Sequence, residues 1–208
     1  MAMPRLIAQA RLAWRGRGGA GAAAVSPGRS LVAACLLLTA CSAMEEASRP
    51  PLDTLATRMP AEIAGFVLGD AAQRPGPTLA LDYATRNRAA VATVLVYGTG
   101  GRAAPSDPAA PEFDRELSSA VTEVTEAPSG RTGRRLTEQR RVTVADPGLR
   151  CAVMSGAFGR APVTRHVCIG SAEGRFVKVQ VTMASGAPSE SADAMAFAAG
   201  VVRAVRGG

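Results

Sequence analysis

The sequence predicts an α+β fold: an antiparallel β-sheet meander with an amphipathic mid-chain helix and a long C-terminal helix packed on it. Three observations point there. Short runs of alternating or β-branched apolar residues follow one another between glycine and proline turns. One stretch in the middle of the chain changes to helical period, and so does the end of the chain.

Taken in order, Phe66 to Leu68 is a short apolar strand. After the Gly76-Pro77 turn, Leu79, Leu81 and Tyr83 alternate with Ala80, Asp82 and Ala84, as in a half-buried strand. Val91 to Tyr97 is near-continuously apolar and β-branched, which suits a central strand covered on both faces. Gly98-Thr99-Gly100-Gly101 ends it. From 111 to 126 the period becomes helical: Phe113, Leu117, Val121 and Val124 make one stripe, with Pro111 and three acids in the first turn, where the helix dipole favours them. A basic strand runs from Pro128-Ser129-Gly130 to Val144, and Asp146-Pro147-Gly148 turns the chain. Three further strands are expected near 149–158, 163–170 and 175–183. Ala187-Pro188-Ser189 then opens a final helix through Val205, with Ala194, Phe197, Ala198, Val201 and Val205 on one side. The two helices suit opposite faces of the sheet.

The chain has 208 residues, repeats at no fixed period and carries a formal charge of +7. Much of that charge lies before Cys41, where Arg5, Arg11, Arg15, Arg17 and Arg29 face no acids. Removing these five of the 24 basic residues leaves 19 against 17 acidic ones. So small a surplus argues against a nucleic-acid partner, which needs a strong cationic field on the folded domain.

The run Leu31 to Ala40 follows Arg29, is ten residues long and ends in Leu38-Thr39-Ala40-Cys41. It is half the roughly 20 residues a membrane-spanning helix needs, and Ser42, Glu45 and Glu46 follow at once. The tetrad resembles the lipobox of bacterial lipoproteins, which implies that Cys41 is lipidated and becomes the mature amino terminus. A buried apolar helix with an incidental cysteine is the competing reading, and Val32-Ala33-Ala34-Cys35 fits the pattern loosely. The segment before the run is long for a signal, as a start codon placed too early would make it, with Val25 as one alternative. Ser42 resembles the sorting pattern that sends lipoproteins to an outer membrane, facing the periplasm, in a two-membrane cell. The expected organisation is a signal peptide over 1–40, a lipidated cysteine and flexible tether over 41–60, and a single α+β envelope domain over 61–208. The tether expectation rests on the small, charged and proline-bearing composition after Cys41. Across about 140 residues the element order resembles the PsbP-like α/β/α architecture of some bacterial lipoproteins, a likeness that transfers no active residue.

Spacing singles out Cys151 and Cys168. If Gly159-Arg160 is a two-residue hairpin loop with glycine first, partner numbers sum to 319 and Cys151 faces Cys168. Counting from the hydrogen-bonded pair Phe158–Ala161 puts the cysteines at a non-hydrogen-bonded position, about 4.5 Å apart between Cα atoms, where a disulfide closes. Pro162 falls at another such position and costs the hairpin no hydrogen bond. His166 is the sole histidine and no second cysteine pair stands near, so neither a metal site nor a cofactor is expected. His166 reads as a strand residue with a satisfied hydrogen bond, since no nucleophile or orienting carboxylate is identifiable beside it. Ser155 lacks the glycine-flanked nucleophile pattern because Val153 holds the first glycine position. The Gly98-to-Arg102 turn leads into no immediate helix and reads as a plain turn.

Arg131, Arg134, Arg135, Arg140 and Arg141 put five cations within eleven residues. Such a run suits an anionic lipid or polymer, or another envelope protein, and equally an edge strand guarded by charge against edge-to-edge pairing. Two functional classes follow: a membrane-anchored, non-catalytic binding or structural module, and an envelope hydrolase or transferase with a dispersed site. A pocket joining His166 to carboxylates favours the enzyme; a shallow basic face favours the binding module.

Overall fold

The structure, a computed structural model, describes residues 48–126, 135–185 and 193–208. Eight strands form one antiparallel sheet: β1 Glu62–Ile63, β2 Phe66–Arg74, β3 Thr78–Thr85, β4 Ala90–Tyr97, β5 Arg135–Val144, β6 Leu149–Phe158, β7 Ala161–Ala172 and β8 Arg175–Ala184. Three helices accompany them among the described residues: α1 Leu52–Arg58, α2 Pro111–Thr125 and α3 Ala194–Arg206. The sheet order is β1-β2-β3-β4-β8-β7-β6-β5. The meander is therefore two four-stranded runs joined through β4 and β8. After β4, α2 carries the chain to the far edge, and β5 to β8 fold back toward the centre.

Each face of the sheet has its own core, because neighbouring side chains point to opposite sides. On one face Leu81, Val94, Cys168 and Val179 pack with Phe197, Val201 and Val205 of α3 and with Leu55 of α1. On the other face Met154, Val167, Ile169 and Phe176 pack with Phe113, Leu117 and Val124 of α2. Phe113 meets Phe176 edge-on with ring centroids 5.6 Å apart. At its rim α2 is fastened to the sheet by polar contacts: Tyr97 Oη donates to Glu116 Oε2 at 2.9 Å and Lys178 Nζ to Glu123 Oε2 at 2.7 Å. The C-terminal helix starts at Asp193, whose carboxylate accepts from the amides of Met195 and Ala196 at 2.8 and 3.0 Å. The expected opening of that helix at Ala187-Pro188-Ser189 lies outside the described residues.

Three expectations change. The stretch expected to be tether up to residue 60 contains α1, with Leu55 fully buried and Met59 nearly so. Leu52, Leu55 and Met59 are spaced three and four apart, and this stripe is masked by the charged and proline-rich average of its surroundings. A seven-residue helix does not stand alone in water, so packing against β3 and α3 sustains it. Pro50 is held as well, its carbonyl accepting from Arg175 Nη1 at 2.8 Å. The second change concerns β4, which is central but covered on its second face only at the Tyr97 end: its residues alternate in burial and Val91 is 49% exposed. Among the described helices α2 packs over β5, β6 and β7, so the side of β4 bearing Val91 and Thr93 stays open. The third change concerns His166 and is described with the site.

Candidate functional site

The hairpin between β6 and β7 sets the geometry around β5. Gly159 has φ +61°, as the first position of a type II′ turn requires, and Phe158 pairs with Ala161. Cys151 then pairs with Cys168, their Cα atoms 4.0 Å apart and their sulfurs bonded. In the same parity, alternate residues of β6 direct their amides and carbonyls to β7, and the others direct theirs to β5. The paired set on β5 is Arg135, Thr137, Arg140, Val142 and Val144. Leu136, Glu138, Arg141 and Thr143 turn their backbone groups outward, and among the described residues no strand pairs with that side of β5. A register shift between Glu138 and Arg140 makes Gln139 a bulge. Gly156 permits the close approach of this edge: a Cβ there would lie 1.8 Å from the carbonyl oxygen of Arg135.

Register places side chains in rows across β5, β6 and β7. One row is Arg135, Ala157 and Pro162; the next Thr137, Ser155 and Thr164; the third Arg140, Val153 and His166. They share the face that α3 covers further along, where Cys168 Sγ contacts Met195 Sδ at 3.9 Å. Arg135, Thr137, Arg140 and Ser155 are exposed, and Thr164 and His166 are half-buried. Among the described residues neither Arg135 nor Arg140 has a carboxylate partner. Arg141 points to the other face, where its Nε donates to Glu138 Oε1 at 2.7 Å and its Nη1 to Ser118 Oγ of α2 at 3.2 Å. Its Glu138 hydrogen bond holds its pKa above the ordinary arginine value. Two of the three described arginines are thus uncompensated and share one face. Arg131, Arg134 and Cys41 lie outside the described residues.

His166 Nδ1 is buried without a hydrogen-bond partner among the described residues, which corrects the satisfied strand histidine expected above. The cause is position: its neighbours in the row are Val153 and Val181. Burial lowers its pKa below the ordinary 6.5, the Arg140 charge lowers it further, and Asp193 opposes both. The ring is therefore neutral at neutral pH. Asp193 already caps α3, and no hydrogen bond joins His166 to Ser155 among the described residues. A nucleophile–base pair is not assembled there.

The linked pH effect has a definite sign. With the folded pKa below the unfolded one, the unfolded chain binds the proton more readily, so stability falls as pH drops through about 6.5 toward the folded value and then levels off. His166→Gln should flatten that slope in denaturant titrations between neutral and mildly acidic pH. An unchanged slope would assign it to other groups.

Two clefts lie at the other end of the sheet. One, of about 400 Å³, is lined by Ser106, Ser171, Glu173 and Arg206 among others. The other, of about 520 Å³, is lined by Arg58, Pro60, Arg206 and Gly207 among others. Their polar groups are engaged within the fold: Arg206 donates to the Ser171 carbonyl, Ser171 Oγ to the Pro105 carbonyl, and Arg58 pairs with Glu173. Neither cleft includes His166. Among the described residues no cluster of histidine, cysteine or carboxylate side chains suits a metal ion.

The chain matches no model of a known protein family, and no curated protein is similar to it in sequence. The site therefore rests on its own geometry. The turn at Gly98 to Arg102 leads to α2 only at Pro111, too far to place helix amides beside it. Ser155 joins the exposed row beside Thr137. The cysteine pair and the β5 arginines were visible in the sequence; the row linking Arg140 to His166 was not, because it needs the β5–β6 register, which a bulge shifts.

Proposed function

We propose that this protein is a lipid-anchored envelope lipoprotein acting as a non-catalytic binding module, which holds an anionic partner through the arginine-bearing edge of its sheet. The single observation that carries the binding role is the presence of Arg135 and Arg140, uncompensated and exposed, on one face of an unpaired edge strand. The anchor rests on the Leu38-to-Cys41 tetrad. Among the described residues no helix is long and apolar enough to cross a membrane.

When β7 stands upright on the bilayer that holds the lipid, the arginine-bearing edge faces away from that bilayer. Pro50 docks on Arg175, at the β7–β8 turn, whereas Arg135 sits across from Ala157, beside the β6–β7 turn. Strand β7 has 12 residues and separates those turns by about 40 Å at roughly 3.3 Å per residue. From Cys41 to Ser48 an extended chain reaches only about 25 Å. The start of β5 is presented away from the anchor, toward the periplasm if the membrane is an outer one.

Two measurements test this. Mass spectrometry of the membrane fraction should find a mature chain beginning at a lipid-modified Cys41; an unmodified thiol there, or an intact leader, rejects the anchor. The full chain should be retained on immobilised polyglutamate in a salt-dependent manner, and Arg135→Gln with Arg140→Gln should release it at lower salt. The same pair should change stability by no more than about 0.5 kcal/mol each, as exposed substitutions do. Retention that ignores both arginines rejects the binding surface.

A further inference from the structure

We propose that the outer edge of β5 takes up an extended acidic segment of another protein as a ninth strand. The inference rests on reading this edge as a binding surface and adds the chemical class of the partner and the way it is held.

The backbone argues for a peptide. Beyond the bulge at Gln139, the stretch Arg140–Val144 pairs regularly with β6, and the amides and carbonyls of Arg141 and Thr143 point away from the sheet. These groups repeat at the spacing of a strand, and an extended chain meets them with matching donors and acceptors. A polyanion without a peptide backbone meets only the guanidinium groups. At the opposite edge β1 covers only Phe66 and Val67, and the rest of β2 is interrupted by a register shift between Leu68 and Ala71; it carries Asp70 beside Arg74, whereas the arginines of β5 stand together.

The side chains argue for acid. Arg140 and Arg141 are consecutive and stand on opposite faces of the sheet, Arg140 with no carboxylate partner among the described residues and Arg141 paired with the carboxylate of Glu138. A strand laid alongside places two consecutive residues opposite them, and carboxylates there form cross-strand ion pairs on both faces. Val142 and Thr143 favour β-branched residues at the neighbouring positions. A second copy of this chain fits less well. The antiparallel self-pairing that sets Glu138 against Arg141 sets Arg140 against Arg140, because Gln139 is the extra residue of the bulge. Pairing Arg141 with Thr143 avoids the bulge but gives neither arginine a carboxylate. Charge and bulge are also devices that keep an edge from pairing with its own kind; an acidic strand satisfies both arginines where a copy does not.

The test uses the full chain in detergent and a fluorescein-labelled peptide of valine and threonine with two central glutamates, followed by fluorescence anisotropy. Saturable binding is expected, weakened at least about tenfold when the glutamates are replaced by lysine. Thr143→Pro removes an outward amide, at an edge position that proline tolerates, and should weaken binding to a similar degree; Thr143→Val, which keeps the amide, should not. Backbone N-methylation of the peptide at alternate positions probes the same ladder without touching the protein: one set should abolish binding and the other should not. If Thr143→Pro and both N-methylated peptides bind like the unmodified pair, the strand is wrong, while the polyglutamate result still judges the basic surface separately. Absence of peptide binding, or a dimer that the peptide cannot dissolve in sedimentation, overturns the proposal.

Discussion

Phe197→Ala should destabilise the domain by about 3–5 kcal/mol, the range for removing a fully buried phenylalanine. Phe197 is completely buried on α3, its ring centroid 4.5 Å from that of Phe66 and 5.1 Å from that of Tyr83. It ties the C-terminal helix to β2 and β3, whose residues are far away in sequence. Tyr83 is itself held by a hydrogen bond to the Pro60 carbonyl at 3.1 Å, and burial pushes its phenol up to about 12. Truncation leaves a cavity that these two rings and the sheet close only in part. Equilibrium denaturation should show a lower midpoint with an unchanged slope. A loss below about 1 kcal/mol would mean that the neighbours collapse into the space, and that α3 contributes less to the core than its burial implies.

The second large effect concerns the bridge between β6 and β7. Cys151 and Cys168 are 17 residues apart in sequence and buried under α3. Cross-linking a loop of that size restricts the unfolded chain by about 3 kcal/mol in the chain-entropy account. Replacing both cysteines by alanine should therefore lower the melting temperature by about 6–12 °C for a domain near 150 residues. Reductant should bring the wild-type protein to a similarly lower value and leave the double variant unmoved. Because both sulfurs are inaccessible in the native state, reduction should track unfolding and be slow under native conditions. Thiol labelling of the exported protein, denatured without reductant, gives the direct result: two reactive thiols at Cys151 and Cys168 would refute the bridge.

That bridge also shows how far the sequence carries the fold. Gly159, Pro162 and the two cysteines all bear on a single hairpin register, since a two-residue turn counts every later pair. The amphipathic stripe of Phe113, Leu117, Val121 and Val124 placed α2 to within a residue. Where local patterns were averaged over a window, as across residues 41–60, the short helix around Leu55 disappeared into its polar surroundings. The site was legible in part. Its arginines stand together in the chain, but which of them share a face depends on the bulge at Gln139, and nothing in the composition announces a bulge.

By itself the sequence determined the elements with a strong period, the hairpin with its cysteine pair, and the α+β class, because these follow from contacts among residues a few positions apart. Tertiary structure alone decided that β8 returns to pair with β4 and that β5 ends as an unpaired edge. It also decided that Arg140 stands in a row with His166 and that Val91 remains open to solvent. Strand order is settled by burying two faces of one sheet under helices from distant parts of the chain, and that balance of apolar burial against loop closure is written in no single segment.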